Sequence, residues 1–105
     1  MNLSAMLTAR AAEGRPVRVG LIGAGKFGSM ILSQARQIEG LHVVGIADLD
    51  RAKAEASLAR VHWTPDEYSA RTPGEAIDSG KTCLTEDAGE LFGCEGIECI
   101  IEATG

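Results

Sequence analysis

Apolar residues along this chain alternate between short continuous runs and stripes with helical spacing. The run Val17–Ile22 is β-branched and ends in glycine, which is typical of a buried parallel strand. Over residues 26–39 the apolar positions recur with helical period, and Gly40 stands where a C-terminal cap belongs. Leu41–Ala47 is a second buried run. The pattern predicts a strand–helix–strand unit over residues 17–48.

The second half of the chain continues this alternation with one interruption. Asp50 can cap a helix that runs to about Arg60, and Thr72 can cap a short helix over residues 73–79. Residues 61–72 follow no period, and we expect an ordered excursion there. The remaining predicted elements are a strand over 81–85, one or two helical turns over 87–92 and an apolar strand over 97–103.

A glycine motif, Gly23-Ala24-Gly25-Lys26-Phe27-Gly28, lies between the first predicted strand and its helix. Gly23 permits the tight turn, Gly25 lets a pyrophosphate approach the backbone, and Gly28 lets the helix pack closely on the strand. The free N–H groups and the dipole of the helix's first turn then face the phosphates. The motif and its position predict dinucleotide binding, and the alternative is a plain tight turn between strand and helix.

Two further features support the same interpretation. Asp48 ends the second strand, 20 residues beyond Gly28, where a carboxylate can accept hydrogen bonds from the ribose hydroxyls of adenosine. Its alternative role is to cap the following helix. The last strand ends in Glu102-Ala103-Thr104-Gly105, and in the strand order 3-2-1-4 this end lies at the topological switch point, near the nicotinamide side of the cofactor. The predicted cofactor-binding residues are Gly23, Gly25, Lys26, Phe27, Gly28, Asp48, Arg51, Ala103, Thr104 and Gly105.

The residues after the second strand favour different cofactors. Asp48 would repel the 2′-phosphate of NADP, whereas Arg51 could pair with that phosphate if the loop turned it inward. Lys26 either adds charge near the pyrophosphate or is solvated. Phe27 offers its backbone N–H to the phosphates while its side chain joins the core. These residues alone favour NAD slightly.

Composition narrows the classes of partner and compartment. The 105 residues, 45% of them apolar, can bury one core. Because 15 acidic residues outnumber 10 Lys and Arg, the net charge of −5 would repel a nucleic-acid backbone. Cys83, Cys94 and Cys99 form no CxxC pair and no metal spacing, which favours a reducing compartment. Residues 1–12 predict a short helix, with no signal peptide and no span of a bilayer. We expect a cytoplasmic protein with neither nucleic-acid nor membrane partner.

Residues 15–28 and 41–48 together resemble the homoserine-dehydrogenase-like oxidoreductases that carry a SAF domain, most of all the deoxyxylulose-phosphate reductoisomerase-like enzymes of bacterial isoprenoid synthesis. The resemblance covers nearly the whole chain, although the Gfo/Idh/MocA group and glyceraldehyde-phosphate dehydrogenases share the glycine motif. It implies reduction of a phosphorylated sugar with NADPH, by residues of a downstream domain. It also implies that the cofactor contacts Gly23, Gly25, Gly28, Asp48 and Thr104.

We therefore predict an α/β fold, the truncated first mononucleotide-binding half of a Rossmann-type doubly wound parallel sheet with strand order 3-2-1-4. Residues 1–14 would form an N-terminal helix and 15–105 an incomplete NAD(P)-binding domain that lacks its substrate domain. The last strand would then leave an apolar edge open to association. This chain alone would be inactive, and the full-length protein would be a homo-oligomer acting on a small molecule.

The predicted function is the NAD(P)-binding portion of an oxidoreductase, with NADP or NAD as cofactor. One alternative is a homoserine-dehydrogenase-like dehydrogenase of another substrate. A second is a non-catalytic redox sensor that binds dinucleotide. A third, an enzyme that binds S-adenosylmethionine, suits the glycine spacing less well.

Overall fold

Four parallel strands form the single sheet in the part of the chain that the computed structural model describes, residues 3–35 and 37–103. The strands are β1 (Val17–Ile22), β2 (Leu41–Ala47), β3 (Cys83–Thr85) and β4 (Cys99–Glu102). Their order across the sheet is β3-β2-β1-β4, which confirms the predicted order 3-2-1-4. The α-helices of the described residues are α1 (Leu3–Ala12), α2 (Lys26–Ala35), α3 (Arg51–Arg60), α4 (Pro73–Ser79) and α5 (Gly89–Phe92).

Helices cover both faces of the sheet. The larger core joins α2 and α3 to one face through Leu32, Ala35, Ala54 and Leu58, packed with Val19, Leu21, Val43 and Ile46. The smaller core lies under α4 and contains Val44, Ala70, Ala76 and Cys83. Because β4 pairs with β1, the chain returns across the sheet after β3, and the direction of winding reverses between β1 and β4. The carboxyl ends of these two strands meet at this point.

An irregularity in β2 explains how neighbouring residues serve both cores. Val43 and Gly45 lie opposite consecutive residues of β1, so Val44 is an extra residue in the ladder. Val43 and Ile46 both belong to the larger core although they are three residues apart. Gly45 faces the other side, where a Cβ would lie 2.3 Å from Leu91 Cδ2. The bulge therefore turns Val44 and Gly45 together towards α4 and α5.

The predicted excursion over residues 61–72 is ordered and carries the chain around β3 to the other face. It contains a 3-10 turn, Pro65–Tyr68, and its Trp63 and Tyr68 are each 7% exposed in the larger core. The Ala70 N–H donates to the Thr82 carbonyl at 3.2 Å, and the Thr82 N–H donates to the Glu67 backbone carbonyl at 2.9 Å. These bonds join the excursion to Thr82, the residue immediately before β3.

The prediction that α2 runs to residue 39 is wrong. The helix ends at Ala35, and residues 37–40 form a turn in which Ile38 N–H donates to the Ala35 carbonyl at 3.2 Å. Gly40 has a φ of +85° and gives its carbonyl to the Val17 N–H at 2.7 Å. The helical pattern of the sequence continues, but the chain must turn early to enter β2 beside β1. Arg36 lies outside the described residues.

Two predicted strands are longer than the strands observed. The strand predicted over 81–85 covers only Cys83–Thr85, because the backbone of Thr82 bonds to the excursion. The strand predicted over 97–103 covers Cys99–Glu102, because the Ile97 N–H closes a turn onto Cys94. Among the described residues, no helix has the length and apolar character needed to cross a membrane.

Helix α1 packs at the amino end of the sheet. Leu7 is 8% exposed, and a Cβ on Gly40 would lie 2.0 Å from the Leu7 carbonyl oxygen. Arg10 Nη2 donates to Glu98 Oε1 at 2.7 Å, and Arg10 Nε donates to the Arg15 carbonyl at 2.7 Å. The helix is thus fixed to the segments that lead into β1 and β4.

Candidate functional site

The glycine motif forms the connection between β1 and α2 at the carboxyl edge of the sheet. Gly23 has a φ of +92°, a conformation that favours glycine, and its N–H donates to the Ala47 carbonyl at 2.7 Å. The Gly25 carbonyl accepts from the Ser29 N–H at 2.8 Å, which is the first bond of the α2 ladder. The chain is therefore hydrogen-bonded to the end of β2 as it leaves β1, and it enters α2 three residues later.

Gly25 and Gly28 have opposite surroundings. A Cβ on Gly28 would lie 2.1 Å from the Gly23 carbonyl oxygen, so any side chain there would force α2 away from the turn. A Cβ on Gly25 would meet nothing within 4 Å, and Gly25 is exposed. Gly28 permits close packing of the helix, and Gly25 leaves room for a group to reach the backbone.

The N-terminus of α2 opens at this turn. In an α-helix the first N–H groups have no acceptor within the helix, and here these include the amides of Lys26, Phe27 and Gly28. They carry the positive end of the helix dipole. The side chains of Lys26 and Phe27 lie outside the described part of the structure, so the predicted charge of Lys26 is not located.

Asp48 contacts the glycine turn directly. Its Oδ2 accepts from the Ala24 N–H at 2.8 Å, and its Oδ1 accepts from the Asp50 N–H at 2.9 Å. Its own N–H donates to the Thr85 carbonyl at 3.0 Å, which fixes the backbone at the end of β2. The carboxylate thus lies on the same side of the sheet as the turn.

Asp50, and not Asp48, caps the helix that follows β2. Asp50 precedes α3 in extended conformation, and its Oδ1 accepts from the Lys53 N–H at 3.1 Å. Asp50 is therefore the cap that the sequence predicts. The carboxylate of Asp48 instead joins the loop before α3 to the glycine turn.

The observed hydrogen bonds of the Arg51 side chain go to Glu55 and to β3, not to the glycine turn. Its Nη1 donates to the Leu84 carbonyl at 2.8 Å, and its Nε donates to Glu55 Oε1 at 3.1 Å. The side chain is 48% exposed. These contacts direct the guanidinium towards β3, and the pairing of Arg51 with a 2′-phosphate stays a prediction.

The predicted residues at the end of β4 are described only in part. The Ala103 N–H donates to the Ile22 carbonyl at 2.8 Å, and Ala103 is 7% exposed. Ala103 therefore lies next to the last residue of β1, at the point where the winding reverses. Thr104 and Gly105 lie outside the described residues.

Sequence reasoning missed one backbone contact of the site and one exposed apolar side chain next to Asp48 in the chain. Ala24 is 1% exposed, and its N–H is the group that joins the turn to Asp48. Leu49 is 91% exposed although it is apolar and directly follows Asp48. An apolar residue between a strand's acidic end and a capped helix is the signal that could have indicated Leu49. No comparable signal exists for Ala24, because its backbone makes the contact.

Cys83 has no role at this site. It is 1% exposed in the smaller core, and burial raises the pKa of its thiol. A thiol that stays protonated at neutral pH is a poor nucleophile. Among residues 3–35 and 37–103, His, Cys, Asp and Glu side chains form no group of three that could hold a metal ion.

Comparison with known protein families found no matching family, and a search of curated proteins found no matching protein. The functional assignment therefore rests on the geometry of the glycine turn and Asp48.

Proposed function

We propose that this chain is the NAD(P)-binding portion of an oxidoreductase, with the dinucleotide held at the carboxyl edge of a Rossmann-type sheet. The observation that carries the proposal is the 2.8 Å hydrogen bond from the Ala24 N–H to Asp48 Oδ2. It joins the glycine turn to the acidic residue at the end of β2. A phosphate-binding turn in contact with a ribose-binding carboxylate is the combination that recognises adenosine diphosphate.

The pyrophosphate would bind where α2 begins. The first-turn amides can donate to phosphate oxygens, and the positive end of the helix dipole favours their charge. Because a Cβ on Gly25 would meet nothing within 4 Å, the backbone is accessible from this side. The packing of Gly28 against Gly23 brings the helix close enough for the amides and the turn to face one ligand group.

The adenosine half would bind at the loop after β2. A carboxylate can accept about four hydrogen bonds, and Asp48 uses one for Ala24 and one for Asp50. The remaining lone pairs can accept from the 2′- and 3′-hydroxyls of the ribose. Leu49, 91% exposed beside it, offers apolar surface to the purine ring.

The nicotinamide half would extend towards the point where β1 meets β4. Ala103 lies there, and the sequence places Thr104 and Gly105 next along the chain. The cofactor supplies the hydride chemistry, while the protein binds and orients it. The resemblance to deoxyxylulose-phosphate reductoisomerase-like enzymes favours reduction of a phosphorylated sugar, with catalytic residues supplied by a downstream domain.

Titration of the 105-residue chain with NADH and NADPH tests this proposal. We expect saturable binding, followed by cofactor fluorescence, and a loss of affinity of about tenfold or more for Asp48→Ala, since hydrogen bonds to a charged group are among the strong ones. Asp78→Ala is the matched control, because Asp78 is an exposed carboxylate on α4. Its affinity should stay within about twofold of wild type.

Thermal melts of each variant separate a loss of binding from a loss of fold. Asp48→Ala leaves the buried Ala24 N–H without its acceptor, so a lower melting temperature is expected. Affinities are therefore compared below the melting range of every variant. No binding of either dinucleotide by wild type, or equal binding by Asp48→Ala, contradicts the proposal.

A further inference from the structure

Arg51 is held at the outer edge of β3 by two acceptors. The Thr85 carbonyl faces β2, where it accepts from the Asp48 N–H at 3.0 Å. Because successive carbonyls of a strand point to opposite sides, the Leu84 carbonyl faces away from β2. Arg51 Nη1 donates to it at 2.8 Å. The guanidinium thus satisfies a carbonyl on the open side of an end strand.

Glu55 is the second acceptor and lies one turn along α3. Its Oε1 is 3.1 Å from Arg51 Nε, in the i,i+4 relation that brings helix side chains together. Arg51 lines an open surface pocket of about 460 Å³ together with Glu55, Tyr68, Arg71 and Leu84. Both contacts therefore direct Arg51 to the β3 side of the loop that begins at Asp48.

This position matters because Arg51 follows Asp48 by three residues. In dinucleotide sites an arginine near the end of the second strand accommodates the 2′-phosphate of NADP, and a carboxylate there favours the free 2′-hydroxyl of NAD. Glu55 and the Leu84 carbonyl already engage Arg51 Nε and Nη1, so a 2′-phosphate that drew the guanidinium towards Asp48 would compete with these two acceptors. If the phosphate prevailed, the carbonyl would lose the donor it has at 2.8 Å.

We infer that Glu55 is a positioning residue that acts through Arg51 to set the preference of this site for NADH over NADPH. The inference rests on the proposed function and adds to it the choice of cofactor, which is NADH here although the resemblance implies NADPH. Asp48 repels the 2′-phosphate, and Glu55 holds the Arg51 guanidinium away from the position in which its charge could offset this repulsion. The preference is thus fixed by two carboxylates, only one of which would contact the ligand.

A double-mutant cycle on Glu55 and Arg51 tests the inference, with the ratio of the NADPH and NADH dissociation constants as readout. Glu55→Ala should lower this ratio about two- to fivefold, because an exposed ion pair of this kind is modest in strength. In the Arg51→Ala background the same substitution should change the ratio less than about 1.5-fold. Arg51→Ala alone should change it little, since the wild-type guanidinium is held at β3.

Glu55→Gln separates the two properties of the carboxylate. Glutamine keeps an oxygen that can accept from Arg51 Nε but removes the charge. If Glu55 acts by holding Arg51, Glu55→Gln stays closer to wild type than Glu55→Ala does. If it acts by its own charge on the 2′-phosphate, the two variants shift the ratio equally, and the inference is wrong.

The remaining outcomes distinguish failure of this inference from failure of the proposed function. An unchanged ratio in Glu55→Ala, or a large loss of NADPH affinity in Arg51→Ala alone, overturns the inference but leaves dinucleotide binding intact. Failure of the wild type to bind NADH and NADPH overturns the proposed function and this inference with it. A ratio is used because a general loss of structure would weaken both dinucleotides together.

Discussion

At the scale of single residues, the glycine turn uses glycine for two purposes: close packing of α2 at Gly28 and open space above the backbone at Gly25. Gly28 is required by packing, since the Gly23 carbonyl occupies the space of its Cβ. Gly25 has open space instead, and its lack of a side chain matters only to an approaching ligand. The close packing predicted for Gly28 is observed, and the ligand contact predicted for Gly25 stays a prediction.

Alanine at each of these two positions should therefore have a different effect. Gly28→Ala should lower the free energy of unfolding by about 1–3 kcal/mol, the usual cost of an overpacked site. Gly25→Ala should change stability by less than about 1 kcal/mol but weaken NADH binding about tenfold, because the new methyl group occupies the space of the pyrophosphate. Urea unfolding and NADH titration measure the two effects. Equal destabilisation by both variants would contradict the assignment of roles.

At the scale of elements, the order and type of the helices and strands could be predicted from the sequence, but several ends could not. Apolar runs and caps such as Thr72 and Asp50 are local signals, and these elements begin where the sequence predicts. The early end of α2 depends on how β2 must enter the sheet beside β1. The bulge at Val44 likewise depends on packing from both faces. Such tertiary constraints produce no periodic pattern of apolar residues that could be recognised in the sequence.

The candidate site divides in the same way. The turn and Asp48 were predicted because glycine spacing and an acidic strand end are visible in the sequence. The direction of Arg51 was not, because it depends on the Leu84 carbonyl, 33 residues further along the chain. The contact of Ala24 with Asp48 was also hidden, since any residue provides the same backbone N–H.

The attachment of α1 gives a pH-dependent prediction. The hydrogen bond from Arg10 lowers the pKa of the Glu98 carboxyl below its ordinary value of 4.5, partly offset by desolvation. Its contribution to stability is therefore present above about pH 4.5 and is lost as the pH falls through the lower pKa of the folded state. Both side chains are partly exposed, so the contribution is small, about 0.2–1 kcal/mol.

Urea unfolding of wild type and Glu98→Gln from pH 7 to pH 3 measures this contribution. We expect wild type to be more stable at pH 7 and the difference to shrink as the pH falls below about 4.5 and the carboxyl becomes protonated. Glu95→Gln, an exposed change outside this contact, serves as control. A difference that stays constant over this range would show that ionisation of Glu98 does not stabilise the attachment.

At the scale of the whole molecule, the candidate site lies where the winding of the sheet reverses. The glycine turn follows β1, Ala103 follows β4, and Asp48 follows β2, so three carboxyl ends bring their residues to one edge. Ligands of open α/β sheets bind in the crevice at such a point. The net charge of −5 gives no general attraction for an anionic ligand, so the proposed binding depends on the amides of the turn and on Asp48.

Amide chemical shifts recorded during titration of the isotope-labelled chain with NADH test this location most directly. The account predicts that the largest changes occur at the amides of residues 24–28 and 48–50, on one side of the carboxyl edge. Amides at the opposite end of the sheet, around His42 and Lys81, should change little. Changes centred on His42 and Lys81, or no change at saturating NADH, would contradict the account.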